Sequence, residues 1–452
     1  MKISFISLGC DKNLVDSEIM LGLINKEGYT ITENEEEADI IIVNSCGFIM
    51  DANREATDNI LRVAEYKETG CLKAIIVTGC MAQRYKNEIF KQLPEVDAVV
   101  GTADFGSIGE VIKALTQGQE RVIKITDKNA RLDESLPKLR MMTTLGGYVY
   151  LKIAEGCDAH CTYCTIPSLR GKYRSRTIES LVEEAEMLAE KGVTELILVA
   201  QDTTLYGKDL YGRQCLPELL KKLSEIEGIV WIRILYAYPE NITGEIILEM
   251  ARNSKVCHYL DMPIQHACDE ILKKMGRKSR RAELFEVIDK LRRTIPDICL
   301  RTTLIVGFPG ETEDNFKELK DFIEKAAFDR LGVFEYSREE GTPAAKMPNQ
   351  VHYKTKARRK REILELQCEI SNRICKSFIG KTLKVIVEGR LSGEDNIYIG
   401  RSYRDCYEID GYVFFKSDDE LLSGDYVNVL ITSFSDYDLT GESLGSAAGL
   451  PF

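Results

Sequence analysis

The stretch Gly156-Cys157-Asp158-Ala159-His160-Cys161-Thr162-Tyr163-Cys164 carries three thiols at the spacing C-x3-C-x2-C. It directly follows the apolar run 148–154, which predicts a buried strand. A tight loop of this kind can turn all three sulfurs toward one point, and thiolates are soft ligands that suit iron–sulfur clusters or zinc. A cubane cluster has one more iron than this loop has cysteines. The remaining iron is then open to a ligand that is not protein.

Two other interpretations of the loop are a structural zinc site and three unrelated core cysteines. Structural zinc is closed by four ligands, and the nearest fourth candidate is His160, which is adjacent to Cys161 and poorly placed to share its metal. Cysteine accounts for only 14 of the 452 residues, so this triple spacing seldom arises by chance. The pattern favours an iron–sulfur cluster over zinc.

The composition is that of a globular protein large enough for several domains. Hydrophobic residues make up 44% and charged residues 29% of the 452 positions, and a chain of this length has room for about two to four separate cores. The net charge of −12 gives no general attraction for phosphate backbones. Since no apolar run suits a signal peptide or a membrane span, we expect a cytoplasmic protein without a membrane partner. In that reducing compartment, clustered cysteines indicate metal binding or catalysis.

The N-terminal region alternates short apolar strands with amphipathic helices. This rhythm predicts a parallel sheet with helices on its faces. The predicted helices include residues 17–26 and 51–68. The predicted strands are residues 3–8, 39–44, 73–78 and 97–100.

Three further cysteines follow the first three of these strands. Cys10, Cys46 and Cys80 each come directly after a predicted strand, whereas Cys71 precedes one. Ligands of open parallel sheets bind beyond the carboxyl ends of the strands. Any one of these thiols alone would be a small buried apolar residue by default. Together they predict a second metal cluster at one edge of the sheet.

A second α/β region follows a polar, irregular stretch at residues 119–145. An amphipathic helix is predicted over residues 178–191, with Thr177 as N-cap and Gly192 beyond its last turn. Six strand–helix units predict a partial barrel, a short relative of the eight-stranded one, with its chemistry at the carboxyl ends of the strands. The predicted strands are residues 148–154, 195–200, 230–236, 258–263, 299–307 and 329–335.

The C-terminal region changes character twice. Residues 353–377 predict a helix with the densest basic cluster of the chain, which we interpret as a solvated face. After Gly380, alternating strands predict a small antiparallel barrel, which resembles the TRAM domain. The fold class is thus α/β, with an N-terminal parallel-sheet domain, a central partial (β/α)6 barrel and a C-terminal antiparallel barrel. The predicted limits are 1–125 for the N-terminal domain, 126–145 for a linker, 146–378 for the central barrel and 379–445 for the C-terminal barrel.

The cysteine loop after a first barrel strand resembles the signature of radical S-adenosylmethionine (SAM) enzymes. Together with the N-terminal segment 7–18, Ser-Leu-Gly-Cys-Asp-Lys-Asn-Leu-Val-Asp-Ser-Glu, the chain is similar to their methylthiotransferase branch. The resemblance covers nearly the whole chain. One departure is Asp11, which stands where the family usually has proline beside the first cysteine.

The resemblance implies two [4Fe–4S] clusters and SAM as cofactors. It makes Cys157, Cys161 and Cys164 the catalytic ligands of the SAM-binding cluster, and Cys10, Cys46 and Cys80 the ligands of an auxiliary cluster. SAM cleaved at the first cluster would provide a radical, and the second cluster would supply or carry sulfur that accepts a methyl group from another SAM molecule, so that a C–H bond becomes C–S–CH3. Tyr163 is expected to pack on the adenine of SAM. Gln201 is expected to bind the amino acid part of SAM.

Two family branches and one other class of protein compete for the function. The RimO type modifies an aspartate β-carbon on the twelfth small-subunit ribosomal protein, and the alternative type modifies a tRNA adenosine beside the anticodon. Residues 376–442 contain seven Lys and Arg against thirteen Asp and Glu, which suits a basic protein better than phosphate. Three segments, 10–18, 199–204 and 400–411, agree with the RimO type. An iron–sulfur electron carrier is the non-enzymatic alternative, but it would need four cysteines for each cluster.

The partners expected from this resemblance are three. The substrate is the ribosomal protein or the ribosomal subunit that carries it. An electron donor such as flavodoxin or ferredoxin and a sulfur donor complete the set.

Overall fold

The structure, a computed structural model, describes residues 1–144, 147–394 and 396–446. The N-terminal domain is a six-stranded parallel sheet, and its strands are β1 (Lys2–Ser7), β2 (Thr30–Ile31), β3 (Ile40–Ser45), β4 (Ala74–Gly79), β5 (Ala98–Val100) and β6 (Val122–Lys124). Its helices are α1 (Asp11–Lys26), α2 (Met50–Ala64), α3 (Tyr66–Thr69), α4 (Cys80–Tyr85), α5 (Ile89–Gln92) and α6 (Ile108–Thr116).

The order of strands in this sheet is β2-β1-β3-β4-β5-β6, with every pair parallel. Helix α2 packs on one face and helices α1 and α6 on the other. The central strands β3 and β4 are buried along their whole length, which explains their continuous apolar sequence. Because β1, β3 and β4 are neighbours, the loops that follow them meet at one edge.

The central domain is a second parallel sheet of six strands, in the order β14-β13-β12-β11-β10-β7. The predicted six-unit partial barrel is confirmed. Its strands are β7 (Tyr148–Lys152), β8 (Ala154–Glu155), β9 (Arg174–Ser175), β10 (Glu195–Val199), β11 (Trp231–Ile234), β12 (Val256–Asp261), β13 (Cys299–Val306) and β14 (Arg330–Glu335), of which β8 and β9 form a separate small hairpin. Its helices are α7 (Ile166–Arg170), α8 (Ile178–Glu190), α9 (Lys208–Tyr211), α10 (Leu216–Ser224), α11 (Gly244–Arg252), α12 (Asp269–Lys274), α13 (Arg281–Thr294), α14 (Glu313–Ala326) and α15 (Tyr353–Lys376).

The C-terminal domain is a closed barrel of five strands, as its alternating pattern predicts. The strands are β15 (Thr382–Arg390), β16 (Ile397–Ser402), β17 (Val413–Lys416), β18 (Tyr426–Phe434) and β19 (Leu439–Ser446). The predicted boundary between linker and central barrel, at residues 145 and 146, lies outside the described residues. None of the helices in the described ranges is long and apolar enough to cross a bilayer.

Both flanking domains are joined to the central sheet by buried ion pairs. Arg140 donates through Nε to Glu18 of α1 at 2.7 Å and through Nη1 to Glu184 of α8 at 3.2 Å. Glu195 at the start of β10 accepts from Arg233 at 2.8 Å and from Arg401 of the C-terminal barrel at 2.7 Å. Burial alone would raise the pKa of Glu195, but the two guanidinium groups lower it below its ordinary value. These contacts hold the three domains in one arrangement.

Helix and strand ends differ from the predictions where local signals are weak. Helix α1 begins at Asp11, six residues before the predicted start, so Cys10 is its N-cap. The predicted helix 51–68 is interrupted, and α2 ends at Ala64 before the short α3. Strands β2 and β6 are short edge strands that the sequence pattern missed. Thr177 caps α8 as predicted, since its side chain accepts from the amide of Ser180 at 3.3 Å.

Candidate active site

The loop that carries Cys157, Cys161 and Cys164 follows β8 at the carboxyl end of the central sheet. Gly156 begins the loop with φ +78°, and a Cβ at this position would lie 2.0 Å from the carbonyl oxygen of Lys172. Only glycine fits there. The amide of Thr162 donates to the carbonyl of Met275 at 2.9 Å, which fixes the loop to the end of α12.

The three thiols of this loop are set up for ligation. The backbone amides of Ala159 and Ile166 donate to the sulfurs of Cys157 and Cys164, both at 3.4 Å. Such N–H donors stabilise thiolates rather than thiols. In the free protein, burial raises the pKa of Cys157 to about 11 and that of Cys164 to about 12, and the neighbouring Cys161 contributes to both shifts. Bound metal deprotonates such thiols, so this loop fits an iron–sulfur cluster.

Cys10, Cys46 and Cys80 lie together at the edge where β1, β3 and β4 end. Burial raises the pKa of Cys46 to about 11, and Cys80 and Cys10 raise it further because their thiols are close. Two glycines allow this approach. A Cβ on Gly9 would lie 2.9 Å from the Cβ of Cys46, and one on Gly47 would lie 2.7 Å from the carbonyl carbon of Cys80.

Asn13 joins the loops that carry these cysteines. Its Nδ2 donates to the carbonyl of Ser45 at 3.1 Å and to that of Leu8 at 3.3 Å. Its Oδ1 lies 4.0 Å from the sulfur of Cys80. One side chain thus contacts or adjoins all three loops.

The two cysteine groups differ from a site for a single ion. Within the described ranges, no group of three His, Cys, Asp or Glu side chains converges closely enough to hold one metal ion. A cubane does not require that convergence, because each thiolate binds a different iron. None of the cysteines of the described residues forms a disulfide.

Arg170 connects the two cysteine groups. Its guanidinium donates to Glu155 at 2.7 Å, to Asp16 at 3.3 Å and to Oδ1 of Asn13. Glu155 precedes the cysteine loop, whereas Asp16 and Asn13 belong to α1. Burial raises the pKa of Cys80, and the adjacent Arg170 opposes this shift. The buried guanidinium of Arg170 therefore lies between the segment that precedes the Cys157 loop and the helix that follows Cys10.

The segment 236–238 after β11 provides a second connection. The hydroxyl of Tyr236 donates to Oδ1 of Asp11 at 3.2 Å, next to Cys10. Tyr238 lies at the other group, where it lines the same cavity as Cys157 and Cys161. The first turn of α1, next to Cys10, thus contacts the mouth of the barrel, and residues 236–238 adjoin both cysteine groups.

Comparisons with known proteins agree with this architecture. Family models match residues 2–101 (Uncharacterized protein family UPF0004), 151–323 (Radical SAM superfamily) and 379–444 (TRAM domain). The ribosomal protein uS12 methylthiotransferase RimO of Lachnoclostridium phytofermentans is 56% identical over 441 residues, which cover 98% of this chain and 99% of that protein. The enzyme of the same name from Acetivibrio thermocellus is 51% identical and covers 99% of both chains. The chain belongs to the RimO family.

Membership of the RimO family makes the protein a radical SAM methylthiotransferase. The radical SAM superfamily implies an iron–sulfur cluster and SAM as cofactors. Among solved structures, the radical SAM methyltransferase TsrM from Kitasatospora setae is similar, with a TM-score of 0.54, 13% identity and coverage of 76% of each chain. At that identity the likeness concerns the fold alone.

The predicted cofactor-binding residues are Tyr163 and Gln201. Both lie near the loop that carries Cys157, Cys161 and Cys164, but in different surroundings. Tyr163 packs against the apolar cluster that contains Phe308 and Tyr336, and burial followed by the nearby Cys161 raises its pKa well above the ordinary value. Gln201 follows β10 and donates to Glu155 at 3.1 Å. Its Oε1 is buried without a partner, so one acceptor there is open to a ligand.

A cavity of about 480 Å³ adjoins the cysteine loop. Its lining includes Cys157, Cys161, Asp202, Tyr238 and Arg277. The guanidinium carbon of Arg277 lies 4.2 Å from the ring centre of Tyr238. Burial raises the pKa of Asp202 to about 6.

The sequence pattern missed several residues that build this site. Tyr236 and Tyr238 could have been found, because they follow a predicted strand at the edge where ligands bind. Arg170 and Glu155 gave no such signal. Arg170 contacts Asp16 across 154 positions of the chain, and no local pattern records that pairing.

The buried side chain of His266, in the loop after β12, should make the stability of the protein depend on pH. The ring is fully buried, and burial followed by Arg359 lowers its pKa from 6.5 to about 3. Between these values the unfolded chain binds a proton that the folded chain does not, so stability falls as the pH falls. From pH 7 to pH 5 the wild type should lose about 2 kcal/mol more than His266→Gln, measured by urea unfolding.

The control for this experiment is His352→Gln, because His352 is exposed. That variant should keep the pH dependence of the wild type. If the stability of His266→Gln fell with pH as steeply as that of the wild type, the buried ring would not be the cause of the pH dependence.

Proposed function

We propose that the protein replaces a β-hydrogen of an aspartate in ribosomal protein uS12 by a methylthio group, using two [4Fe–4S] clusters and SAM. The main support is the shared wall between the two cysteine groups, formed by Arg170 on one side and residues 236–238 on the other. The relatives' names supply the substrate. The aspartate is implied by the family resemblance. We place the enzyme in the cytoplasm, where ribosomes are found.

In this proposal Cys157, Cys161 and Cys164 hold the SAM-binding cluster, and Cys10, Cys46 and Cys80 hold the auxiliary one. When bound, the first supplies a radical able to remove hydrogen from an unactivated carbon, and the second supplies sulfur. The chain's own task is to orient these groups and to exclude water. The apolar cluster on which Tyr163 packs and the ion pairs of Arg170 serve that purpose, since the cluster residues and Arg170 are buried.

We assign SAM contacts on each side of the cysteine loop. The unpartnered Oε1 of Gln201 is an acceptor for the ammonium group of SAM. Tyr163 supplies an aromatic face beside Cys161 for the adenine. We also propose the domain limits 1–125, 126–145, 146–378 and 379–445, within which the matched ranges 2–101, 151–323 and 379–444 lie.

The C-terminal barrel favours a protein substrate over tRNA. The exposed loop between β17 and β18 carries Asp418, Asp419 and Glu420 in a row, within a region of seven basic and thirteen acidic residues. Acidic side chains repel phosphate, whereas they attract a basic ribosomal protein. An electron donor such as flavodoxin or ferredoxin and a separate sulfur donor complete the proposal.

The deciding experiment uses anaerobically reconstituted protein with SAM, dithionite and sulfide. It is offered either a peptide of the uS12 loop or tRNA, and both are analysed by mass spectrometry. A methylthio group on the peptide aspartate, with unchanged tRNA, is the expected result. Modified tRNA with an unmodified peptide would assign the protein to the tRNA branch. Failure to cleave SAM under reduction would favour an electron carrier.

A further inference from the structure

Lys12 is a buried cation at the mouth of the central barrel. It is 7% exposed and lies two residues after Cys10. Its Nζ is 3.4 Å from the ring centre of Tyr236 and 3.0 Å from Oδ1 of Asp11. Among the described residues, only Asp11 pairs with this ammonium group. A lysine carries three N–H donors, so Lys12 retains donors for a further acceptor.

Tyr236 holds this lysine from the barrel side. Its backbone has φ +58°, a region that a bulky residue seldom adopts. The amide of Tyr236 donates to Asp261 at 3.1 Å, and its hydroxyl donates to Asp11 at 3.2 Å. Strained backbone of this kind is concentrated at ligand sites. Here it brings the aromatic ring beneath the ammonium group of Lys12.

Asp11 is only half satisfied. Its Oδ1 accepts from the amide and Nζ of Lys12 and from Tyr236. Its Oδ2 is buried and has no hydrogen-bond partner. A buried carboxylate oxygen without a donor is costly. The place beside it therefore suits an N–H group brought by a ligand.

Two other sets of buried cations near the mouth are already paired with carboxylates. Arg170 and Lys152 share the carboxylates of Asp16 and Glu155. Arg301 pairs with Asp261 at 2.7 Å and lies 3.5 Å from Asp410. Lys12 is the cation here whose only carboxylate belongs to the adjacent residue.

We propose that Lys12 binds the side-chain carboxylate of the acceptor aspartate while Oδ2 of Asp11 accepts a backbone N–H of the same substrate loop. This inference rests on the proposed function and names the residues that grip its substrate. A carboxylate held by Lys12 lies near Cys10, with Tyr236 and Tyr238 leading toward the other cysteine group. The carbon that accepts sulfur is the neighbour of that carboxylate. Lys12 is then a specificity-determining residue for aspartate.

The test compares Lys12→Met and Lys12→Arg with the wild type in the reconstituted holoenzyme. Binding of two uS12 loop peptides, one with the acceptor aspartate and one with asparagine in its place, is measured by fluorescence anisotropy with SAM present and no reductant. Wild type should bind the aspartate peptide at least tenfold more tightly than the asparagine peptide. Lys12→Met should reduce that ratio to within about threefold of one, because loss of a charge-assisted hydrogen bond removes discrimination of this size. Lys12→Arg should keep most of it.

Lys26→Met is the matched control, an exposed lysine at the last turn of the same helix. It should bind both peptides as the wild type does. Iron and sulfide content of each variant confirms that the cysteine groups are intact. A Lys12→Met enzyme that still prefers aspartate tenfold, or that loses affinity for both peptides equally, would overturn the inference. Wild-type protein that leaves the peptide unmodified would instead overturn the proposed function.

Discussion

A Cys157→Ala variant is expected to keep the auxiliary cluster and to lose all cleavage of SAM, whereas Cys10→Ala should still cleave SAM but transfer no methylthio group. Each substitution should remove about four irons per chain, because a cubane is not retained by two thiolates at a site designed for three. The two groups have separate ligands, so each loss should be independent. Iron and sulfide analysis, 5′-deoxyadenosine release and peptide mass measure the three quantities.

The control for both variants is Cys71→Ala, because Cys71 is exposed and precedes its strand rather than following it. That variant should contain both clusters and have full activity. Loss of both clusters from either single variant would contradict the separate assignment. So would methylthio transfer by Cys10→Ala.

An Arg170→Met variant is expected to lose about 3–5 kcal/mol of stability, the usual effect of removing one partner from a buried charge network. Asp16 and Glu155 would then share only Lys152, and Oδ1 of Asn13 would lose its guanidinium donor. In the wild type, burial acts to raise the pKa of Glu155, but Arg170 and Lys152 together lower that pKa below its ordinary value. The shift of the urea midpoint in metal-free protein measures the effect. In the iron-loaded protein, iron should be lost first from the site of Cys10, Cys46 and Cys80, because Asn13 joins the loops that carry these cysteines.

Two comparisons make this prediction specific. Arg170→Lys should recover part of the loss, since lysine restores the charge but not the forked geometry of guanidinium. Arg213→Met removes an exposed arginine paired with Glu218 and should leave the midpoint unchanged. If Arg170→Met unfolded at the same urea concentration as Arg213→Met, Arg170 would not stabilise the contact between domains.

The sequence predicted the parts of the fold that local patterns encode. The apolar runs of β3 and β4 and the stripe of α8 mark their elements, and the family resemblance adds the rest of the architecture. The two-residue strand β2 escaped because its pairing is decided by β1 alone. Helix α1 begins at Asp11 although its N-cap residue, Cys10, makes no side-chain hydrogen bond to the first turn. Cysteine is not a residue that sequence rules associate with a helix start.

The candidate site, like the fold, could be predicted only where local sequence patterns encode it. Cys10, Cys46 and Cys80 could be grouped because parallel neighbouring strands bring their ends to one edge. The contact between that edge and the barrel mouth could not be derived, since it depends on pairs such as Tyr236 with Asp11, which are 225 positions apart. In the sequence, Lys12 and Arg170 cannot be distinguished from other charged residues. Their importance comes from burial, which only the packed domains create.

The ligands of the two proposed clusters are distributed very differently along the chain. Cys157, Cys161 and Cys164 lie in one loop, whereas Cys10, Cys46 and Cys80 are separated by two strand–helix crossovers of the N-terminal sheet. The first set can be approached by iron as soon as the ribosome has released that loop. The second exists only after non-local strand pairing, which is slow. Maturation of the enzyme should therefore be ordered, with the N-terminal half acquiring its metal only once it has folded.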